Sequence, residues 1–369
     1  MLGMFSVGCE DDATRARAGV LETRHGKVRT PCFMPVATRG FVKTLSAEEL
    51  ERIKAEAIIS NALLLYMKPG AEVIAEAGGI HRFMSFEGTI FTDSGGFQVL
   101  RREFSPRFTR HGIAFRSPFD GSRHVLTPEL CIALQETLGS DVAVQLDDCP
   151  PYGAEGERYR ESVRRTLEWA EASLQAKTRE DLLLFGVVQG GTDPELRRLC
   201  TRRLAEMGFD GYCLGGLSVG EPREVMMEMV ELSVSMLPES MPRYLMGVGS
   251  PVEVLEAVAR GVDVFDSAFP TRNARHGAVY TWHGKYSITK ARNLHIHEPL
   301  EPGCTCPACR RYSRAYISHL MRCNEPLGKR LVSLHNLHFM QELMRRARDA
   351  ISRGEFNEYL SRVREIFRR

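Results

Sequence analysis

The sequence has no surplus of either charge. Its 369 residues hold 49 lysines and arginines against 47 aspartates and glutamates, a formal net charge of +2. A globally basic coat for nucleic acid is excluded, although a local basic patch is not. Long apolar runs are missing too. The two best, residues 57–66 and 182–188, have strand length or are interrupted by Asn61, and neither could span a bilayer. The basic-then-apolar order of a signal peptide is absent, because Glu10, Asp11 and Asp12 interrupt it early. The expectation is a cytoplasmic chain with no membrane partner. No Gly-x-Gly-x-x-Gly turn follows an early strand, which removes the main dinucleotide-binding signal. Internal repeats and low-complexity segments are lacking as well.

What remains is an ordinary globular composition, 43% hydrophobic and 26% charged. The length suits two or three domains, or one large barrel with an appendage. Ten cysteines are present but unevenly spread. Cys9, Cys32, Cys131, Cys149, Cys200, Cys213 and Cys323 are scattered singles, whereas Cys304, Cys306 and Cys309 cluster. A disulfide scaffold is small and evenly Cys-dense, so the singles read as reduced thiols.

Eight short β-branched or apolar runs recur, at residues 32–36, 57–61, 89–92, 142–146, 183–188, 212–214, 243–246 and 262–265. Most lack alternation, as strands buried on both faces do. Helical patterns with start signals lie between them. Ser46-Ala47-Glu48-Glu49 fits a capping box. Thr127-Pro128 and Asp193-Pro194 each place a cap residue before a proline. Ser250-Pro251-Val252-Glu253 combines both devices, and Gly261 follows as a helix stop. Such alternation predicts a parallel sheet, and eight strands favour a (β/α)8 TIM barrel. Residues 97–125, basic and aromatic, predict an irregular or hairpin insertion after the third strand. Residues 278–288 predict a β-hairpin.

Polar residues gather where these strands end. The third run ends in Thr92-Asp93-Ser94-Gly95-Gly96, the fourth in Asp147-Asp148-Cys149, and the fifth in Gln189-Gly190-Gly191. The sixth ends in Gly215-Gly216-Leu217, the seventh in Met246-Gly247-Val248-Gly249, and the eighth in Asp266-Ser267. In a (β/α)8 barrel these ends meet at the C-terminal face, where active sites of this fold lie. Any one of these aspartates could be only a helix cap or a turn. Three acidic ends with a glutamine and bare glycine backbone are harder to explain that way. Carboxylates accept from ring N–H and exocyclic amines, and Gln and backbone N–H donate to a carbonyl, so the set suits a purine. A further carboxylate could attack a sugar carbon.

Cys304-Thr305-Cys306-Pro307-Ala308-Cys309 puts three thiols within six residues, with His335 and His338 downstream in a helical pattern. Three Cys and one His make a closed tetrahedral zinc set. Free thiols in a loop are the bland alternative. The sequence does not choose between His335 and His338, and Cys323 is a possible substitute. From residue 310 onward, 14 lysines and arginines face 6 acids, with Arg345, Arg346 and Arg348 close together and Arg368 and Arg369 last. Most such runs are solvated faces; the sharper reading is phosphate contact. Pro270-Thr271-Arg272-Asn273-Ala274-Arg275 also places two arginines just after Asp266.

Taken in order, these segments resemble the tRNA-guanine transglycosylase family from about residue 18 to 339. Thr92-Asp93-Ser94-Gly95-Gly96-Phe97-Gln98-Val99 is similar to its most characteristic motif. The segments at Asp147, Gln189, Gly216, Met246, Asp266 and Arg272, the Cys cluster and His335-Asn336-Leu337 follow in sequence. The resemblance implies a (β/α)8 barrel over 1–300, a zinc-binding insertion at 301–340 and basic helices at 341–369 packed on the barrel. It implies exchange of the wobble guanine of tRNAs with GUN anticodons (Asp, Asn, His, Tyr) for a 7-deazaguanine base, in queuosine biosynthesis. Asp266 is the implied nucleophile on the ribose and Asp93 the implied general acid/base. Ser94, Asp147, Gln189, Gly216, Leu217 and Met246 are the implied base-binding residues. Arg272 and Arg275 match the RNA-contacting stretch. Cys304, Cys306, Cys309 and His335 are the implied Zn2+ ligands, and a homodimer through the zinc region is implied. Val219 favours 7-aminomethyl-7-deazaguanine over queuine, whose ring needs the room of a glycine. Where the family usually has an aromatic–His pair after Asn61, Leu64 marks an altered pocket wall. The alternatives are queuine as incoming base, a non-catalytic RNA-binding partner subunit, and insertion into DNA.

Overall fold

The computed structural model describes residues 4–368, so Arg369 lies outside the described residues. All eight runs are strands of one parallel sheet: β1 (Cys32–Met34), β2 (Ala57–Asn61), β3 (Thr89–Asp93), β4 (Val142–Val144), β5 (Leu183–Val188), β6 (Gly211–Leu214), β7 (Arg243–Leu245) and β8 (Val264–Asp266). Their order is β1-β8-β7-β6-β5-β4-β3-β2. A parallel bridge between Val36 and Ile59 brings β1 back to β2, and Ala37 N–H donates to the Ile59 carbonyl at 2.7 Å. The barrel expected from the strand–helix alternation is therefore present.

Its strands are short and apolar because both of their faces are buried. Met34, Ile59, Phe91, Val144, Phe185, Val187, Cys213 and Tyr244 belong to an inner layer. Ile58, Ile90, Ala143, Leu184, Leu214, Leu245 and Phe265 belong to the outer layer shared with the helices. Ser46 and Glu49 form the expected capping box, and Thr127 and Asp193 cap their helices through side-chain oxygens. Ser250 differs: its side chain makes no capping bond, and Pro251 alone marks the helix start with its fixed φ and missing N–H.

Three features surround the barrel. A three-stranded antiparallel sheet (Phe5–Glu10, Arg17–Thr23, Gly26–Thr30) precedes it. Phe5, Leu21 and Val28 of that sheet join the inner layer, so it plugs the N-terminal end of the barrel. Two buried carboxylates pin this plug. Asp263 takes a bidentate pair from Arg17 at 2.9 and 2.6 Å, and Asp141 binds the stacked rings of His25 and His81 at 2.6 and 3.0 Å. The 97–125 insertion carries a second antiparallel sheet of Arg107–Phe108, Ile113–Arg116 and Arg123–Leu126. After β8 come a short helix (Phe269–Arg275), the hairpin of Ala278–Thr281 and Gly284–Ser287, the cysteine loop, and the helix Pro326–Ser352.

Candidate active site

The strand ends do converge. Asp93, Asp147 and Asp266 line one pocket of about 220 Å3, together with Ser94, Gly216, Leu217 and Met246. Asn61, the last residue of β2, lies in register with Asp93 of β3. Its amide group donates to Asp93 Oδ1 at 2.5 Å, while its oxygen caps the following helix at Leu64 N–H. Gln98 donates to the other Asp93 oxygen at 3.3 Å. Burial, and then the negative charge of Asp266, push the Asp93 carboxyl up to about 8. Asp93 is therefore largely protonated at neutral pH and available as an acid.

Asp266 is held differently. Its Oδ1 accepts from the Tyr244 hydroxyl at 2.6 Å and from Gly247 N–H at 2.9 Å. Burial raises its pKa, and these two donors work against the rise. The Tyr244 phenol is itself pushed well above its ordinary value by burial, so it remains a donor. Two carboxyls in one pocket thus occupy unlike environments: Asp93 beside amide donors and Asp266 beside a phenol and a backbone N–H. Tyr244 is a positioning residue in this arrangement. Tyr244→Phe should slow the reaction roughly tenfold, the loss of one charge-assisted hydrogen bond. Losing a donor to the ionised form raises the Asp266 pKa further, so the acidic limb of the pH–rate profile should move upward. An unmoved acidic limb would show that Tyr244 only packs.

Asp147 lies three residues beyond β4, and burial raises it to about 6. It remains mostly ionised at neutral pH, an acceptor for N–H groups. Gln189 is fully buried and sits behind Asp147, donating to its Oδ2 at 2.6 Å. The Gln189 amide oxygen has no partner and points at Gly216. A Cβ on Gly216 would fall 2.3 Å from that oxygen, and its φ is +66°, so glycine alone fits here.

Among the other lining residues, Tyr244, Gln98 and Phe97 are given no role by the sequence, although Phe97 and Gln98 belong to the motif at residues 92–99. Phe97 is 48% exposed although it lines the cavity, an aromatic face open to a flat ligand. Leu64 is not among the pocket's lining residues; it packs on the cluster of Val99, Phe104 and Leu146. The expected alteration of the pocket wall at Leu64 is thus corrected: Leu64 stands one turn into the helix that Asn61 caps and does not line the pocket. Val219 does line the pocket. Arg272 is exposed and Arg275 half-buried on the helix Phe269–Arg275, which begins three residues after Asp266. Of the C-terminal arginines, Arg346 stacks over Trp282 at 3.9 Å and Arg345 pairs with Glu342 and Asp349, so these two have structural partners.

The cysteine cluster closes on one histidine. The sulfurs of Cys304, Cys306 and Cys309 lie 3.7, 3.7 and 3.4 Å from His335 Nδ1. A tetrahedral zinc with Zn–S of about 2.3 Å and Zn–N of about 2.0 Å requires S···N separations of about 3.5 Å, so the four groups fit such an ion. His335 Nε2 donates to the Tyr280 carbonyl at 2.7 Å, which leaves Nδ1 free as a ligand. The choice the sequence left open is settled in space: His338 faces Thr305 instead, and Cys323 is exposed beside His319.

Fold and pocket define a (β/α)8 enzyme whose carboxylates meet at the C-terminal mouth of the barrel. A model of the family described as queuine tRNA-ribosyltransferase matches residues 11–369. Relatives carrying that name include a protein of Moorella thermoacetica, 50% identical over 354 residues, covering 96% of this chain and 95% of that one. One from Desulforudis audaxviator is 49% identical over 355 residues, covering 96% and 95%. Another from Thermoanaerobacter pseudethanolicus is 48% identical over 351 residues, covering 95% and 94%. The chain belongs to the queuine tRNA-ribosyltransferase family, a family of tRNA-modifying transferases.

Proposed function

We propose that this enzyme exchanges the wobble guanine of GUN-anticodon tRNAs for 7-aminomethyl-7-deazaguanine, through a covalent link between Asp266 and the ribose. The observation that carries this reading is the meeting of Asp93, held by Asn61, and Asp266, held by Tyr244 and Gly247, in one pocket, with burial raising the Asp93 carboxyl. An Asp266 oxygen bonds to ribose C1′ as the C1′–N9 bond to guanine breaks, and Asp93 gives its proton to the departing base. The incoming base then returns a proton to Asp93, its N9 bonds to C1′, and the carboxylate of Asp266 leaves. Asp147 accepts N–H donors of the base, with Gln189 holding it in place. Phe97, Leu217 and Met246 supply apolar surface for the ring, and Ser94 and the bare backbone at Gly216 complete the wall. Val219 limits the room beside that ring, which favours the small aminomethyl base over queuine.

Arg272 and Arg275 stand on one helix face next to Asp266, and the RNA backbone is their ligand. Zinc is the ion held by Cys304, Cys306, Cys309 and His335, and it supplies folding energy rather than chemistry. A homodimer through the zinc region fits the stacked pair of Tyr312 and Tyr316, with Tyr316 42% exposed. A cytoplasmic site of action suits a tRNA substrate and reduced thiols. The presence of both Asp93 and Asp266 disfavours a non-catalytic partner subunit, and the complete Cys3His set with Arg272 and Arg275 favours tRNA over DNA.

The test is release of labelled guanine from tRNA, measured against pH. Adduct formation should hold up to about pH 8 and then fall tenfold per unit, because the acid form of Asp93 is lost as pH passes its raised pKa. A rate still rising above pH 9 would remove Asp93 as the acid, and no guanine exchange at any pH would overturn the reading itself.

A further inference from the structure

A larger cavity than the carboxylate pocket lies at the other end of the barrel. It measures about 590 Å3 and is floored by Cys32, Phe33 and Ala57. Cys32 and Ala57 open β1 and β2, so this cleft stands at the end opposite Asp93 and Asp266. Its walls are the end of the helix Ala47–Arg52, the cysteine loop at Thr305 and Pro307, and one side of the helix Pro326–Ser352.

The cleft is strongly cationic. Arg29, Arg52, Lys54, Arg310, Arg345 and Arg348 line it against two carboxylates, Glu56 and Glu342, an excess of four positive charges. Those carboxylates are engaged, Glu56 by Arg29 and Glu342 by Arg345. Lys54 and Arg310 have no ion-pair partner among the described residues, while Arg52 pairs with Glu48 and Arg345 also with Asp349, both outside the cleft. Arg348 gives its guanidinium to the carbonyls of Arg29 and Pro31 at 3.3 and 2.8 Å and forms no ion pair among the described residues, the nearby Glu56 being taken by Arg29. Collecting unmatched cations around a concave surface costs repulsion, and an anion relieves it. Arginines in such numbers suit phosphate, which their planar fork binds in a bidentate manner.

We infer that this cleft is a second anion site, and that its ligand is phosphate in the backbone of the RNA substrate beyond the anticodon loop. The inference rests on the RNA substrate proposed above. Continuity of the fold supports it. The helix Phe269–Arg275, which carries Arg272 and Arg275, packs on the helix Pro326–Ser352. That long helix spans about 40 Å at 1.5 Å per residue and carries the cleft's Arg345 and Arg348 farther along. One rigid strut therefore joins the arginines beside the active site to the remote cleft. A free polyphosphate would offer the same chemistry and is the other source to be distinguished.

The experiment uses the full chain with zinc bound and the double variant Lys54→Gln/Arg310→Gln, with the reversal Lys54→Glu/Arg310→Glu as a second. Zinc content and melting check that each variant is folded. Guanine exchange on a short anticodon hairpin reads the active site alone and should be unchanged. Full-length tRNA should bind the Gln variant about tenfold more weakly, with a salt dependence reduced by one to two units of slope, and the reversal more weakly still. Calorimetry with inorganic tripolyphosphate forms the other arm. If tripolyphosphate binding falls while tRNA binding does not, the anion site stands and its assignment to RNA is overturned. If neither falls, or if only the sedimentation of a dimer changes, the cleft is no anion site. Failure of the unaltered enzyme on the hairpin would count against the proposed function instead.

Discussion

Asp266→Asn should form no covalent adduct with tRNA, and guanine exchange should fall by at least about a thousandfold, the scale on which a covalent nucleophile is lost. The asparagine keeps the size of the side chain and still offers an oxygen to the Tyr244 hydroxyl and Gly247 N–H, so the pocket should keep its shape. What disappears is the charge. A denaturing gel of enzyme mixed with tRNA, without a second base, should show a protein–RNA band for the unaltered enzyme and none for the variant. A second consequence separates chemistry from damage. The Asp266 charge is one of the forces that hold the Asp93 proton. Removing it favours the ionised form of Asp93, so the Asp93 titration followed by carboxyl NMR should move to lower pH. A variant that still forms adduct would end the nucleophile assignment, and one whose Asp93 titrates unchanged would show that the two carboxyls are not electrically coupled.

That coupling was only half legible in the sequence. Asp93 and Asp266 could be placed at strand ends because the runs before them are apolar on both faces, and a parallel barrel sends all such ends to one mouth. Their partners could not. Asn61 reaches Asp93 through strand register, and Tyr244 reaches Asp266 across neighbouring strands. Such contacts join residues far apart in the chain, and no local pattern encodes them. Phe97 stands inside the motif at residues 92–99, but it also opens a basic, aromatic segment that reads as an insertion, so its place on the pocket wall is not assigned from sequence. The N-terminal plug also went unread. Its strands are half-exposed, and Arg17, buried against Asp263, resembles an ordinary surface charge until its partner is known. Gln189 was placed at the right strand end, but its position behind Asp147 depends on side-chain packing that spacing does not describe.

Removal of an ion held by Cys304, Cys306, Cys309 and His335 should reach the helix that carries Arg272 and Arg275, and the route can be followed atom by atom. His335 stands on the helix Pro326–Ser352, and its neighbour Asn336 is buried. The Asn336 amide donates to the carbonyls of Pro270 and Ala278 at 3.1 and 2.9 Å, and its oxygen accepts from Tyr280 N–H at 3.1 Å. Pro270 belongs to the helix that carries Arg272 and Arg275, and Tyr280 is the carbonyl partner of His335 itself. A bound ion that fixes His335 therefore fixes Asn336, and Asn336 fixes the arginine helix beside Asp266. Without the ion, three thiols and an imidazole gathered around one point lose what holds them together, and binding energy that was folding energy is lost. Chelation, or Cys309→Ser, should lower the melting temperature by about 3–4 °C or more, roughly what 2–3 kcal/mol costs a chain of this size. Hydrogen exchange should rise first across residues 278–340 while the barrel strands stay protected. Affinity for tRNA should fall with it, even though none of the four ligands need touch RNA. Acidification should act in the same direction, since protonation of the thiolates releases the ion. If chelated protein keeps both its melting temperature and its RNA affinity, Asn336 alone secures the arginine helix and the cluster is dispensable.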